Sequence, residues 1–271
     1  MIGTVADIIV FIFGSIIGSF LNVVILRFRT GRTLGGRSAC MTCAKTLYWY
    51  ELVPIGSFLS QRGKCGGCRA PISWQYPVVE AVTGFLFVAL SWRFEYLLPE
   101  NPLLFAILFS YFALITSLLI VMSVYDIKHK ILPDQLVFIF ASITLLGMFF
   151  IKGDAIVLHF PSYTQFLAGI ILPMPFSFLW HISKGKWMGL GDAKLMIGIG
   201  FLLGMSSGIA ALMLSFWIGA IVSILLMLLA PYFGKKGLTF KTALPFGPFL
   251  ALGTLIVFLS GIDLSSITGI F

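Results

Sequence analysis

Charged side chains are scarce in this chain. Asp, Glu, Lys and Arg make up 10% of its 271 residues, and only 10 residues are acidic. Because 59% of the residues are hydrophobic and the mean hydropathy is +1.05, the composition excludes an ordinary water-soluble globular protein. Several apolar runs are about 20 residues long, and they lack the alternation of a membrane β-barrel strand. The composition therefore predicts an all-α polytopic membrane protein.

The first apolar segment lacks two features of a cleavable signal peptide. No basic residue precedes it, and it ends in the large residues Leu26, Arg27 and Phe28 instead of a small-residue cleavage site. We therefore expect residues 1–27 to remain as the first transmembrane helix. Hydropathy predicts about eight such helices, of which the sixth is short. Their approximate ranges are Ile8–Leu26, Val78–Leu98, Leu103–Val124, Leu136–Ile151, Tyr163–Trp180, Lys194–Gly204, Ser207–Leu229 and Pro245–Ser260.

Lys and Arg are almost absent from one side of this predicted arrangement. Sixteen of the 18 fall in loops on the other side, which leaves Arg93 and Lys152 opposite. The positive-inside rule therefore places those loops in the cytoplasm and both termini outside. Because the net charge of +8 reports topology, it does not predict a nucleic-acid partner, and contact with acidic lipid is a secondary expectation. The sixteen residues are Arg27, Arg29, Arg32, Arg37, Lys45, Arg62, Lys64, Arg69, Lys128, Lys130, Lys184, Lys186, Lys194, Lys235, Lys236 and Lys241.

The chain has only four cysteines, and all of them lie in the first predicted cytoplasmic loop. Cys40-x-x-Cys43 and Cys65-x-x-Cys68 are separated by 21 residues, a pattern that can supply four thiolates to a tetrahedral Zn²⁺. Because the cytosol is reducing, we expect a structural zinc site instead of disulfides, in a small domain over residues 28–76. Two redox pairs or unliganded thiols remain the alternatives. Tight turns in the second knuckle are expected at its glycines, Gly63, Gly66 and Gly67.

Two of the acidic residues stand at ends of predicted helices: Asp126 follows the third and Asp192 precedes the sixth. Because a carboxylate in or beside a bilayer is costly, such a group indicates a functional site. The predicted topology puts both at the cytoplasmic face. Two nearby carboxyls cannot comfortably both ionise, so one would hold a proton while the other activates water, as in an aspartyl protease. Alternatively, each aspartate only marks a helix end, where the helix dipole favours Asp192.

Three other charged residues have open roles. Glu80 lies near the inner end of the second predicted helix, where a carboxylate needs a partner. Asp134 follows a proline and is expected to cap the fourth helix. Lys194 is expected either to steady the charge of Asp192 or to extend to the membrane interface.

A series of motifs runs through most of the chain. In order they are Gly18–Val24, the paired cysteines, Glu51–Pro54, Arg62–Cys65, Pro71–Glu80, Asp126 with Pro133-Asp134, Gly189–Leu195 and Leu244–Phe249. As an ordered set these motifs resemble the bacterial type IV prepilin peptidases, which are membrane aspartyl proteases of the Gly-x-Gly-Asp type. One departure is Gln75, where many members of that family have Arg, so the local loop contacts are expected to differ.

The resemblance implies that Asp126 and Asp192 are the catalytic pair, within a peptidase domain over residues 77–271, and that the four cysteines form the family's tetrad. It implies that the enzyme removes the short basic leader of prepilins and pseudopilins, after a Gly, at the cytoplasmic face of the bacterial inner membrane. It also implies N-methylation of the newly exposed residue, usually Phe, with S-adenosylmethionine as methyl donor. Candidates to receive the basic leader are Glu51, Glu80 and Asp134.

The chain lacks the glycine-rich fingerprint of a Rossmann-type methyltransferase, which leaves the cysteine loop and the adjoining membrane face as sites for methyl transfer. Two other functions remain open. An intramembrane protease that cuts within lipid, as signal-peptide peptidases do, is suggested by Tyr125-Asp126 and Leu244-Pro245-Phe246, but it does not account for the cysteine loop. A non-catalytic metal-binding membrane module or a proton-coupled transporter is the alternative of another class. A transporter would place the carboxyls near the bilayer midplane, whereas both are predicted at one face.

Overall fold

The computed structural model describes residues 2–30, 33, 35–153, 155–186, 188–229, 244–264 and 266. Four basic residues of the predicted cytoplasmic loops, Arg32, Lys235, Lys236 and Lys241, lie outside these ranges. Within the described ranges the regular structure is almost entirely helical. The α-helices are α1 (Ile2–Arg27), α2 (Gly56–Ser60), α3 (Gln75–Phe94), α4 (Pro102–His129), α5 (Asp134–Phe150), α6 (Tyr163–Ile171), α7 (Met174–Ser183), α8 (Leu190–Leu229) and α9 (Gly247–Ser260).

Short elements complete the description. Two 3₁₀-helices cover Trp49–Leu52 and Glu95–Leu97, and two antiparallel strands of two residues each, Ile151–Lys152 and Ala155–Ile156, follow α5. Among the residues that the structure describes, five helical segments are long and apolar enough to cross a membrane, and α5 and α9 are shorter apolar helices. The predicted class, a mostly helical polytopic membrane protein, is confirmed at this level.

The chain divides into two compact units, Met1–Val121 and Met122–Phe271. In the first unit, α1 and α3 pack closely because glycines face the contact. A Cβ on Gly14 would lie 2.9 Å from the Cα of Gly84, and one on Gly18 would lie 2.8 Å from the Cα of Glu80. Gly14 and Gly18 form a Gly-x-x-x-Gly pattern, the spacing that lets two membrane helices approach. The hydropathy pattern alone did not point to this contact.

In the second unit, α8 packs against α5, α6 and α9. Its contact with α6 again depends on glycine, because a Cβ on Gly200 would lie 2.6 Å from the carbonyl oxygen of Ala168. The helix is interrupted at Gly204, whose φ of 77° and ψ of −170° are not helical. This break coincides with the predicted end of the sixth apolar segment. A residue with a side chain would be strained at such a backbone angle, so glycine makes the break possible.

Candidate active site and cysteine cluster

Asp126 lies in the last turn of α4, with only 5% of its surface exposed. Its Oδ2 accepts a hydrogen bond of 3.1 Å from the backbone N–H of Gly247, the first residue of α9. The N–H groups of a first helical turn have no partner within their own helix, so Asp126 satisfies one of them. Its charge is also favoured there by the positive end of the α9 dipole.

Gly247 can approach the carboxylate because it has no side chain. A Cβ at this position would lie 2.7 Å from Oδ2 of Asp126, which is too close for an ordinary contact. The preceding residue, Phe246, is held by aromatic packing. Its ring centroid lies 4.9 Å from that of Phe216 in α8 and 6.1 Å from that of Phe176 in α7. These contacts fix the start of α9 against Asp126.

Asp192 lies in the first turn of α8 and is also buried, with 8% of its surface exposed. Because it sits at a helix N-terminus, the dipole of α8 favours its negative charge. Within the described residues no hydrogen bond reaches its carboxyl group, whereas the Asp126 carboxyl is close enough to interact with it electrostatically. The two aspartates that the sequence singled out are therefore brought together.

Leu132, in the loop between α4 and α5, packs against Gly191, the neighbour of Asp192, and against Gly247, whose N–H bonds to Asp126. A Cβ on Gly191, next to Asp192, would lie 2.8 Å from the Leu132 Cβ, and a Cβ on Gly247 would lie 3.3 Å from the Leu132 Cδ2. The two glycines of the motif, Gly189 and Gly191, favour a tight turn before Asp192. Instead, neither has a positive φ, and Gly191 lies within α8, where its role is the close approach to Leu132.

Lys194 does not pair with Asp192. Its Nζ lies 2.7 Å from Oδ1 of Asp134, and both side chains are partly exposed. Asp134 is the first residue of α5, and the expected cap is not formed, because the N-cap residue is Pro133. The ion pair joins α8, two residues beyond Asp192, to the first turn of α5.

The four cysteines form one cluster in the first unit, and their sulfur atoms all lie within 4.8 Å of one another. Each pair belongs to a knuckle that a β-bridge closes, Ala39 with Thr46 and Lys64 with Pro71. The two knuckles share a backbone pattern. The residue after the second cysteine, Ala44 or Arg69, has a left-handed φ of 56° or 57°, and its N–H bonds to the carbonyl oxygen of the first cysteine.

The tight turns expected at Gly63, Gly66 and Gly67 are present, at residues 61–63 and 66–68. Gly63 has a φ of 67° and forms a left-handed turn, whereas Gly66 and Gly67 do not have positive φ. Gly67 instead leaves room for its neighbours, because a Cβ there would lie 3.1 Å from Cδ of Lys45 and 3.9 Å from the sulfur atoms of Cys43 and Cys65.

The donor set fits a tetrahedral metal ion. Sulfur atoms about 2.3 Å from a tetrahedral Zn²⁺ are about 3.8 Å apart, and the Sγ atoms of Cys40 and Cys68 are separated by 3.8 Å. All four cysteines are free thiols. The backbone N–H groups of Cys43 and Thr42 lower the pKa of Cys40 to about 6, and those of Cys68 and Gly67 lower the pKa of Cys65. Cys40 and Cys65 therefore favour the thiolate, the form that binds metal, whereas burial and the neighbouring cysteines raise the pKa of Cys68 to about 11.

Glu51 ties the cysteine loop together, which the sequence reasoning did not anticipate. One carboxylate oxygen accepts a hydrogen bond from the Tyr48 N–H and the other lies 3.0 Å from Nζ of Lys45, a residue of the first knuckle. These two partners, the Tyr48 N–H first, lower the pKa of Glu51. The same carboxylate lies beside Gly66 of the second knuckle, where a Cβ would be 3.2 Å away. Glu51 thus links both knuckles to the segment between them.

Glu80 and Gln75 hold this loop against the helices of the first unit. The buried Glu80 carboxylate accepts a hydrogen bond of 2.8 Å from the N–H of Ile55, whose φ of 59° is rare for a β-branched residue. Gln75, the departure from the family pattern, donates from Nε2 to Oδ1 of the buried Asn22, at 3.0 Å. Asn22 in turn donates to the carbonyl oxygen of Tyr76, so α1 and the start of α3 are connected.

The fold and these two clusters define a multi-helix membrane protein with a buried carboxyl pair and a four-thiol site. Comparison with known families agrees with this class. Residues 12–94 match the bacterial peptidase A24 N-terminal domain, and residues 113–224 match the type IV leader peptidase family. The chain belongs to the type IV leader peptidase family.

Curated relatives support the assignment over nearly the whole chain. A protein named prepilin leader peptidase/N-methyltransferase from Bacillus subtilis is 33% identical over 93% of this chain and 94% of its own length. A protein of the same name from Aeromonas hydrophila is 32% identical over 93% of this chain and 90% of its own length. In the relative of that name from Myxococcus xanthus, at 32% identity, the match covers 83% of this chain and 64% of the relative. No solved structure matches the chain.

Proposed function

We propose that this chain is a membrane aspartyl endopeptidase that removes the basic leader of prepilins and pseudopilins after a Gly. The relatives named prepilin leader peptidase/N-methyltransferase support the activity. The observation that carries the proposal is the pair formed by Asp126 and Asp192, which are both buried and within electrostatic range of each other. Buried acids outside a structural ion pair are a frequent sign of a catalytic site.

The chemistry assigned to the pair is general acid–base hydrolysis. One carboxyl is ionised and accepts a proton from a water molecule as its oxygen attacks the scissile carbonyl carbon. The other is protonated and donates a hydrogen bond to the carbonyl oxygen. Collapse of the tetrahedral intermediate breaks the C–N bond, and a proton passes from the pair to the leaving amine. The N–H of Gly247 holds one Asp126 oxygen during this cycle and so keeps that carboxyl in one orientation.

The expected depth of Asp126 and Asp192 in the membrane fits a prepilin substrate. We assign eight membrane crossings, counting the two halves of α8 on either side of Gly204 separately and including α5 and α9. In this arrangement the last turn of α4 and the first turn of α8 lie at the cytoplasmic surface of the bacterial inner membrane, with both termini outside. A basic leader followed by an apolar helix would present its scissile bond at the same level.

The cysteine cluster is assigned a structural Zn²⁺. Cys40, Cys43, Cys65 and Cys68 would fill all four positions of a tetrahedral site, so no position would be open for catalysis. The metal would hold the two knuckles together in a domain with a small apolar core.

The second proposed activity is N-methylation of the newly exposed residue. The name of the relatives supports it, and S-adenosylmethionine would supply the methyl group. Cleavage at the membrane surface would leave the new amine beside this chain.

The experiment is cleavage of a purified prepilin by the full chain in liposomes. Asp126→Asn and Asp192→Asn are each expected to lower turnover by at least ~10³-fold, because the dyad loses either its base or its acid. Asp134→Asn is the matched control, since Asp134 is an exposed partner of Lys194 outside the pair. Transfer of a labelled methyl group to the cleaved product is measured in the same samples.

The outcomes separate the candidate functions. Loss of cleavage in the two dyad variants alone, with wild-type helix content, supports the dyad. Folded dyad variants that cleave like wild type would exclude the aspartyl mechanism. If the wild type cleaves no prepilin, a metal-binding module or a transporter becomes the favoured function. Cleavage within the apolar helix of the substrate would favour the intramembrane protease.

A further inference from the structure

The segment between the two cysteine knuckles exposes a run of apolar side chains. Within residues 48–53 only Glu51 is turned inward, to Lys45, and the indole of Trp49 is exposed over 80% of its surface. A contiguous apolar patch of this kind indicates a contact surface. We call its members the aromatic ledge: Tyr48, Trp49, Tyr50, Leu52 and Val53.

The rings of the aromatic ledge pack on one another. Tyr48 and Tyr50 are stacked with ring centroids 5.5 Å apart, and Trp49 meets Tyr50 edge-on at 5.9 Å. The hydrogen bond from the Tyr48 N–H to Glu51 fixes the turn that presents them. The ledge is therefore a formed surface, and little side-chain entropy would be lost when it binds.

The ledge is tied to the beginning of a membrane-spanning helix. Two residues after it, the Ile55 N–H bonds to Glu80, which lies five residues after Gln75, the start of α3. At 1.5 Å per residue, this anchor lies about 7.5 Å along the axis of α3. Because α3 is a candidate membrane span, the chain next to the ledge runs at the depth of the bilayer surface.

The positive charge around the aromatic ledge favours an anionic partner. Residues 28–76 contain seven basic residues and one acidic residue, Glu51, which is buried and paired. A basic leader peptide would be repelled by this surface, whereas an anionic lipid headgroup would be attracted by about 1 kcal/mol for each nearby Lys or Arg. The exposed basic residues in the described part of this segment are Arg29, Arg37, Arg62, Lys64 and Arg69.

We propose that the aromatic ledge lies in the headgroup region of an anionic membrane leaflet and anchors the cysteine domain to the bilayer surface. Trp and Tyr are the residues enriched at this level, because their rings are apolar and their polar groups can reach water or headgroups. Nearby Lys and Arg side chains bind the negative headgroups. This membrane contact goes beyond the proposed peptidase activity and does not depend on the carboxyl pair.

The test uses the full chain in vesicles of phosphatidylcholine and phosphatidylglycerol, with bromine on the acyl chains close to the headgroups. The emission of Trp49 is the difference between wild type and Trp49→Phe. The matched control is the emission of Trp92, obtained as the difference between wild type and Trp92→Phe. The indole of Trp92 is exposed and lies within the apolar helix α3. Brominated lipid is expected to quench roughly half or more of the Trp49 emission, and aqueous iodide is expected to quench little of it. Quenching by lipid should decrease in vesicles without phosphatidylglycerol and in the double variant Arg37→Gln, Arg62→Gln.

Three results would overturn the proposal. Quenching of Trp49 by iodide but not by lipid would place the ledge in water, and quenching of Trp92 would then show that the chain is still inserted. Shielding of Trp49 from both quenchers would indicate a second copy or another protein as the partner. Equal lipid quenching with and without phosphatidylglycerol would exclude recognition of anionic lipid. None of these results bears on prepilin cleavage, which is assayed separately.

Discussion

The four thiols and the two carboxyls are brought together in different ways. The thiols lie within 29 consecutive residues, and each pair is positioned by hydrogen bonds inside its own knuckle. The carboxyls are 66 positions apart in the sequence, and their approach depends on the packing of α4, α8 and α9 around Leu132 and Gly247. A locally built site should tolerate changes elsewhere in the fold, whereas the carboxyl pair should respond to any change that moves one of these helices.

Among the changes that compare how the two sites are built, the largest effect is expected at the local site. Cys40→Ser removes one of four sulfur ligands, and we expect Zn²⁺ affinity to fall by at least ~100-fold, with loss of folding in the cysteine domain. Metal content and competition with a chelator measure the affinity. Met41→Leu, in the same knuckle but without a ligand atom, should bind like wild type. Unchanged Zn²⁺ affinity in Cys40→Ser would contradict a four-sulfur site.

The next effect tests the site built by distant helices. Gly247→Ala would place a Cβ 2.7 Å from the Asp126 carboxylate, so the carboxylate or α9 must move. We expect turnover to fall by ~100-fold while the protein stays folded, because a displacement of about 1 Å is enough for such a loss. Gly3→Ala is the control, since its new Cβ in α1 would meet no atom of the described residues within 4 Å. A folded Gly247→Ala enzyme with wild-type turnover would show that this contact does not position Asp126.

A smaller, pH-dependent effect is expected at Glu51. The folded-state pKa of Glu51 is lowered, first by the Tyr48 N–H and then by Lys45, so its contribution to stability is present above the unfolded-state pKa of about 4.3. The stability that Glu51 contributes is lost as the pH falls through its folded-state pKa. The difference in melting temperature between wild type and Glu51→Gln should therefore be constant from pH 5 to 8 and shrink below about pH 4.3. If the difference in melting temperature between wild type and Glu51→Gln grows as the pH falls, the prediction is wrong.

The smallest effect is expected from the ion pair between Lys194 and Asp134. Both side chains are partly exposed, so solvent screens the attraction and the pair contributes less than about 1 kcal/mol. Lys194→Gln and the double variant with Asp134→Asn should cleave prepilin within about threefold of wild type. A much larger loss in Lys194→Gln than in Asp134→Asn would mean that Lys194 acts on the carboxyl pair itself.

The same contrast explains what could be predicted from the sequence. The spacing of the four cysteines was enough to predict their cluster, because each knuckle is a local turn. The apolar segments also matched helices, and even the break at Gly204 fell at a predicted boundary. These features depend on residues that are close in the sequence, where composition and spacing act directly.

The contacts around the carboxyl pair could not be predicted in the same way. Nothing in the sequence near Asp126 indicates that its partner is the N–H of Gly247, which lies 121 positions away. The ion pair of Lys194 with Asp134 spans 60 positions, and the alternative that Lys194 steadies the charge of Asp192 was wrong. Such contacts are set by the approach of helices, which depends on glycines whose importance appears only when the opposite surface is known.

The position of Gly247 in the chain also has a consequence for the order of synthesis. The helices that contain Asp126 and Asp192 leave the ribosome before α9, so a partly made chain holds both acids while the N–H that orients Asp126 does not yet exist. The membrane therefore receives the reactive groups first and the element that aligns them afterwards. In the proposed enzyme, the growing chain would therefore cleave poorly until α9 is in place.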